Sequence, residues 1–151
     1  MFVWLSWIVS FQVIGYILGS MNQSSVTGWY QTLYKSSLTP SGYVFGIVWP
    51  VLYVCLALVG YHIWQDKKSC FCLKIFFVLQ MILNWSWTII FFHCQALLLS
   101  WITIGLMILL TAILLAKTYK NKPYITILLV PYFIWICFAF YLSVYIWIYN
   151  A

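Results

Sequence analysis

A single carboxylate, Asp66, occurs in 151 residues. It sits beside Lys67 and Lys68, between long uncharged stretches. Charged residues make up 5% of the chain, whereas a water-soluble domain carries roughly a quarter. Such a surface cannot face water on all sides, so lipid is the solvent this chain must satisfy. A hydrophobic share of 66% and a mean hydropathy of +1.03 agree. In lipid every backbone polar group has to be satisfied internally, which leaves helices or a closed barrel. The apolar runs lack the period-2 alternation of a barrel and are long enough for helices. The expectation is an all-α membrane protein, a five-transmembrane-helix bundle forming one domain over residues 1–151.

The runs fall at about 2–21, 43–64, 71–93, 97–117 and 124–149. The first begins at Phe2 with no lysine or arginine ahead of it and no small-residue cleavage site, so it reads as a retained span. The connection 22–42 is the longest and is rich in Ser, Thr and Gly; the third connection is a tight turn near His93–Ala96. Lys67, Lys68 and Lys74 lie at the second connection, Lys117, Lys120 and Lys122 at the fourth, and Lys35 in the first. Positive loops stay inside, which predicts the N-terminus inside and the C-terminus outside, with the long loop outside. Tyr43, Tyr61, Trp64, Tyr145, Trp147 and Tyr149 near the span ends fit an interfacial belt. Gly15 and Gly19 make a GxxxG, which serves either a homodimer face or close packing within one bundle.

Much chemistry is excluded. No carboxylate lies in a span, which argues against a carboxylate proton relay. The five cysteines, Cys55, Cys70, Cys72, Cys94 and Cys137, lack metal-ligand spacing and read as reduced thiols, so no metal site is expected. His62 and His93 stand near helix ends, far apart in sequence. Without arginine, nucleic acid is not an expected partner. General acid–base catalysis has almost no residues to draw on.

What remains is aromatic and amide chemistry inside the spans. Gln80, Asn84, Trp87 and Phe91 recur at i, i+4, i+7 and i+11, one face of the third helix. Pro131, Trp135, Phe138, Ala139 and Leu142 form a stripe on the fifth. Trp49 and Tyr53 are one turn apart on the second, with Pro50 between them. At a rise of about 1.5 Å per residue, Trp49 and Trp87 both lie about 9 Å below the long-loop side and Asn84 about 14 Å. An aromatic-walled pocket with one amide under a loop would suit a planar, largely apolar ligand. The same pattern also fits rings that simply pack and an amide bonded to a neighbouring helix.

The residues resemble a known family. Trp29-Tyr30-Gln31-Thr32-Leu33-Tyr34-Lys35, Pro40, Tyr43-Val44-Phe45-Gly46-Ile47-Val48-Trp49 and Leu52-Tyr53 are similar to the WYxxLxK…PPxWVFGxVWxxLY signature of the TspO family. These are the translocator proteins, also called tryptophan-rich sensory proteins or peripheral-type benzodiazepine receptors. Leu83-Asn84-Trp85-Ser86-Trp87 with Phe91-Phe92, and Pro131-Tyr132-Phe133-Ile134-Trp135 through Ala139, Leu142 and Trp147, resemble two further family segments. The resemblance implies a five-helix bundle, often a homodimer, that binds protoporphyrin IX or a related tetrapyrrole and isoquinoline-type drugs, with no required cofactor. By matched position, Trp49, Asn84, Trp87 and Trp135 line the pocket, with Tyr53, Phe91, Ala139 and Leu142 as apolar neighbours; Phe138 joins them on its stripe. The expected role is sensory, regulatory or translocating. A second reading is light-dependent porphyrin degradation using Trp49 and Trp135, and a third is a transport or assembly subunit without a ligand of its own. The membrane expected is a bacterial cell membrane, with an outer membrane of mitochondrial type as the alternative.

The sequence departs from the family pattern at several positions. Leu38, Ser41 and Tyr43 replace a tryptophan, a proline and a tryptophan of the loop; Ile47, Thr88 and Ile89 stand where prolines are usual. Thr103 stands for a common acid and Ser143 for the usual asparagine. No lysine or arginine follows Tyr145, so the family's C-terminal sterol motif is incomplete and sterol recognition is not carried over.

Overall fold

A computed structural model describes residues 2–67 and 70–151; Lys68, grouped above with Asp66 and Lys67, lies outside the described residues. Five long helices account for most of the chain: α1 (Val3–Met21), α4 (Gly42–Gln65), α5 (Phe71–Thr88), α6 (Leu97–Thr118) and α7 (Pro123–Asn150). Two short helices, α2 (Gln23–Thr27) and α3 (Trp29–Thr32), occupy the long connection, and a π-helical turn, Ile89–His93, extends α5. Among the described residues there is no strand. The fold is the expected all-α bundle, with five helices long and apolar enough to cross a membrane.

The boundaries follow from local chemistry. Pro123 opens α7 at a position whose N–H would have no helical partner anyway. Cys70 precedes α5, and its sulfur accepts the Cys72 N–H at 3.4 Å. The α5 extension ends where Cys94 N–H bonds to Ile89 O at 2.9 Å and Gln95 turns to φ 53°, a left-handed conformation that stops a helix. His93 therefore still belongs to the π turn, and the tight turn is Cys94–Ala96. The long connection is likewise not wholly a loop, since about half of it coils into α2 and α3.

The helices close into a ring in the order α1, α4, α7, α6, α5, with α1 and α5 meeting again. Leu56, Ala57, Val59, Ile63, Leu114, Ile125 and Leu129 fill its centre with no solvent exposure. The outside is as apolar as the inside: Ile127, Ile134 and Ile148 are 70%, 63% and 60% exposed, a surface that only lipid covers at low cost. Polar side chains within spans are bonded locally. Thr103, Thr111 and Thr118 donate to carbonyls four residues back on α6. Ser100 and Ser143 bond each other across α6 and α7 at 3.0 Å. Thr103 and Ser143, where the family pattern has an acid and an asparagine, thus act in helix packing.

Two contacts fix which ends share a side. Tyr34 N–H donates to Asn150 Oδ1 at 2.7 Å, and Asn150 Nδ2 returns a bond to Tyr34 O at 3.0 Å, so the long connection and the C-terminus lie together. Lys122 and Asp66 pair at 2.5 Å, joining the two lysine-bearing connections at the opposite end. Gly15 serves packing inside the bundle: a Cβ there would stand 2.5 Å from the Tyr53 ring, so only glycine lets α1 approach α4 this closely. A Cβ at Gly19 meets nothing.

Candidate functional site

The buried amides of α5 organise the interior. Asn84 is 1% exposed and Gln80 fully buried, one turn apart and both aimed at α7. There Tyr132 Oη accepts from Asn84 Nδ2 at 3.0 Å and from Gln80 Nε2. From α4, Tyr53 Oη donates to Asn84 Oδ1 at 3.3 Å. A hydrogen-bonded chain therefore runs Tyr53–Asn84–Tyr132–Gln80 and ties three helices together. Gln80 Oε1 has no partner in this arrangement; a half-turn of that amide would offer it the Tyr132 O–H.

Aromatic rings lie around the chain in three groups. Trp49 lies against Tyr53, centroids 5.5 Å apart, and Phe11 of α1 meets Tyr53 edge-on at 6.5 Å. Toward the long connection, Trp87 stacks on Phe91 at 5.4 Å and 15°, and Phe92 stands perpendicular to Phe91 at 4.8 Å. The π turn brings Phe91 and Phe92 under α3, whose Trp29 and Tyr30 rings close on Phe91 at 5.6 and 5.9 Å. Lys35 folds back over Tyr30, its ammonium 4.7 Å from the ring and bonded to Tyr30 O at 2.9 Å. Burial beneath this lid raises the Tyr30 phenol above its ordinary pKa. The altered positions Leu38 and Tyr43 stay 63% and 71% exposed, so the lid contacts come from Trp29 and Tyr30.

The third group sits on the α4–α7 seam. Trp135 meets Phe45 at 5.5 Å and Phe138 at 5.9 Å. With Ile47, Val48, Val51, Leu52, Pro131 and Ile134, Trp135 and Phe138 line an apolar cleft of about 370 Å³ that opens to the bilayer side. Leu142 is buried and Ala139 half-buried against the core below.

Of the residues expected to line one pocket, Trp49, Tyr53 and Asn84 are joined by direct contacts. Trp87 and Phe91 form the adjoining stack under the lid. Trp135 and Phe138 face the seam. Beneath the lid these rings pack on one another. Four indole N–H groups, those of Trp85, Trp87, Trp101 and Trp135, are buried without an acceptor among the described residues, and two of them belong to the expected set. Tyr132, at the centre of the hydrogen bonds, was missed as a site residue; a phenol in mid-span always needs a partner, and that was its available signal. Trp29 and Tyr30 entered the sequence reading as loop aromatics and as the start of the family signature, without their contacts to Phe91.

Comparison with known proteins yields consistent relatives. The pattern of the TspO/MBR family matches residues 7–148. The tryptophan-rich protein TspO of Archaeoglobus fulgidus is 31% identical, over 95% of this chain and 94% of its own. That of Bacillus cereus is 34% identical over 76% of each chain, and the human translocator protein is 29% identical over 79% of this chain and 73% of its own.

Proposed function

We propose, since this chain belongs to the TspO/MBR family and is a multi-pass membrane protein, that it takes up a planar, largely apolar ligand of the porphyrin or tetrapyrrole class. Isoquinoline-type molecules share the same aromatic, weakly polar chemistry. The site runs from Trp49 and Tyr53 on α4, past Asn84, Trp87 and Phe91 on α5, to Trp135, Phe138, Ala139 and Leu142 on α7. Flat ring systems stack on indole and phenyl faces, and a few polar groups set their orientation.

The observation that carries this reading is the pair of buried indole N–H groups of Trp87 and Trp135, neither with an acceptor among the described residues. Leaving a buried donor unpaired costs about 1–3 kcal/mol, which a ligand carbonyl, carboxylate or ring nitrogen would recover. Entry requires Trp87 and Phe91 to unstack and the Trp29–Tyr30 lid to lift, so binding is coupled to movement of the long connection. That coupling suits a sensory or translocating role.

Titration of the purified protein with protoporphyrin IX, followed by tryptophan fluorescence, tests the reading. Saturable quenching that weakens in Trp87→Phe and Trp135→Phe is expected; quenching without saturation, or unaltered in both variants, rejects it. A second reading, light-dependent degradation of the bound porphyrin, draws on the contact between Trp49 and the hydrogen-bonded Tyr53: the photoexcited ring takes one electron from indole or phenol and is itself reduced, and dissolved dioxygen is the oxidant that then attacks the reduced ring. Illuminated decay of porphyrin absorbance, slower in Trp49→Phe and Trp135→Phe, would support it.

A further inference from the structure

The end of the bundle opposite the lid holds a second cleft, of about 240 Å³, lined by Cys70, Leu73, Lys117, Asn121 and Lys122. Its lining combines the polar groups of Cys70, Lys117, Asn121 and Lys122 with the apolar side chain of Leu73. Lys122 is paired with Asp66 at 2.5 Å. Lys117 is exposed and has its ammonium 5.8 Å from the Phe76 ring, a contact that leaves its hydrogen-bond donors available. The Asn121 amide adds neutral hydrogen-bonding capacity. Around the cleft, Lys67, Lys74 and Lys120 give this end of the molecule a strong positive excess over Asp66, the chain's lone acid.

We propose that this cleft binds the phosphate of an anionic phospholipid, with Lys117 as its principal cation and Lys122 and Asn121 as flanking donors. Charge complementarity sets the sign of the partner, because a basic cleft between helix ends at the membrane surface attracts anionic headgroups. Position sets its source. The half-buried Phe76 ring lies 5.8 Å from the Lys117 ammonium, and Leu79, three residues on along the same side of α5, is 44% exposed, so a headgroup at Lys117 has an apolar surface on which its acyl chains can lie. A free phosphate ion would use the lysines and leave that apolar wall bare. The site lies at the other end of the bundle from the proposed tetrapyrrole site and does not depend on it.

Cys70 is a built-in reporter. Its thiol is lowered from the ordinary value, chiefly by the Cys72 N–H bonded to it and in smaller part by the Lys117 charge, so it alkylates readily when the cleft is open. The experiment compares iodoacetamide alkylation of Cys70 with that of Cys94, an exposed thiol at the lid end, in nanodiscs of phosphatidylcholine alone or with phosphatidylglycerol. Phosphatidylglycerol should slow Cys70 about fivefold relative to Cys94, the occupancy that one lysine near an anionic surface supports. Lys117→Gln should abolish the protection; Lys120→Gln, a nearby lysine outside the cleft, should retain it. An unchanged Cys70-to-Cys94 ratio overturns the proposal, as does protection that survives Lys117→Gln. Equal protection by millimolar inorganic phosphate in phosphatidylcholine alone also overturns it, in favour of a free-anion site.

Discussion

At Tyr132, one phenol oxygen receives the amides of Gln80 and Asn84 from the facing helix, and Asn84 in turn accepts from Tyr53. Removing that oxygen strands two amides in an interior without water. Tyr132→Phe should therefore lower stability by about 1–3 kcal/mol, read from unfolding in detergent, whereas Tyr43→Phe, at a 71% exposed position, should change it little. Gly60 poses the opposite problem, one of space. A Cβ there would stand 2.5 Å from Trp7 and 2.9 Å from Phe77, two rigid rings with little room to yield. Gly60→Ala should cost about 1–3 kcal/mol by overpacking. The GxxxG pair separates in the same way: Gly15→Ala collides with Tyr53 and should destabilise the bundle, while Gly19→Leu should spare it. If two copies associate through this stripe, Gly19→Leu will change the mass by light scattering without loss of fold. Nothing in the spacing of Gly15 and Gly19 distinguished their roles; only the ring opposite each of them does.

The element with the most latitude is the long connection. It is pinned at its far end by the two bonds between Tyr34 and Asn150 and by Ser36 against Tyr141 at 2.9 Å, and at its near end by Trp29 and Tyr30 on Phe91. Asn150→Ala removes both Tyr34 bonds, so proteolysis within 22–42 should accelerate and porphyrin should associate faster, as stopped-flow quenching would show. Local opening of this kind is governed by how few contacts hold a segment down. The π turn Ile89–His93 is the matching element on α5. π turns mark functional positions often enough to be informative, and this one delivers Phe91 and Phe92 to the lid. Prolines are usual near here in the family pattern, and Thr88 and Ile89 replace them; the turn forms regardless.

At the scale of the whole molecule, two polarised ends define the orientation test. Cys70 lies at the lysine end and Cys94 at the lid end. A membrane-impermeant maleimide applied to intact cells should label Cys94 and spare Cys70 if the lysine end faces inward, and the reverse if it does not. Much of this architecture was legible in advance. Five apolar runs separated by lysine-bearing or glycine-rich connections determine five helices, because hydrocarbon accepts no unpaired backbone, and their ends came within a residue of the observed ones. The inward face of α5 around Gln80 and Asn84 followed from helical periodicity, whereas α7 buries Leu129, Tyr132 and Ile136 and leaves Pro131, Trp135 and Phe138 of the expected stripe on the seam. The sequence by itself thus determined the solvent, the helices and the inward face of α5, all of which depend on neighbours along the chain. Only the tertiary structure decided that Tyr132 gathers the amides, that Trp87 spends its face on Phe91, that Trp135 turns to the α4–α7 seam, and that α3 forms the lid. Those outcomes depend on distances between rings on different helices, and a pattern of 3.6 residues carries no information about which ring arrives opposite which.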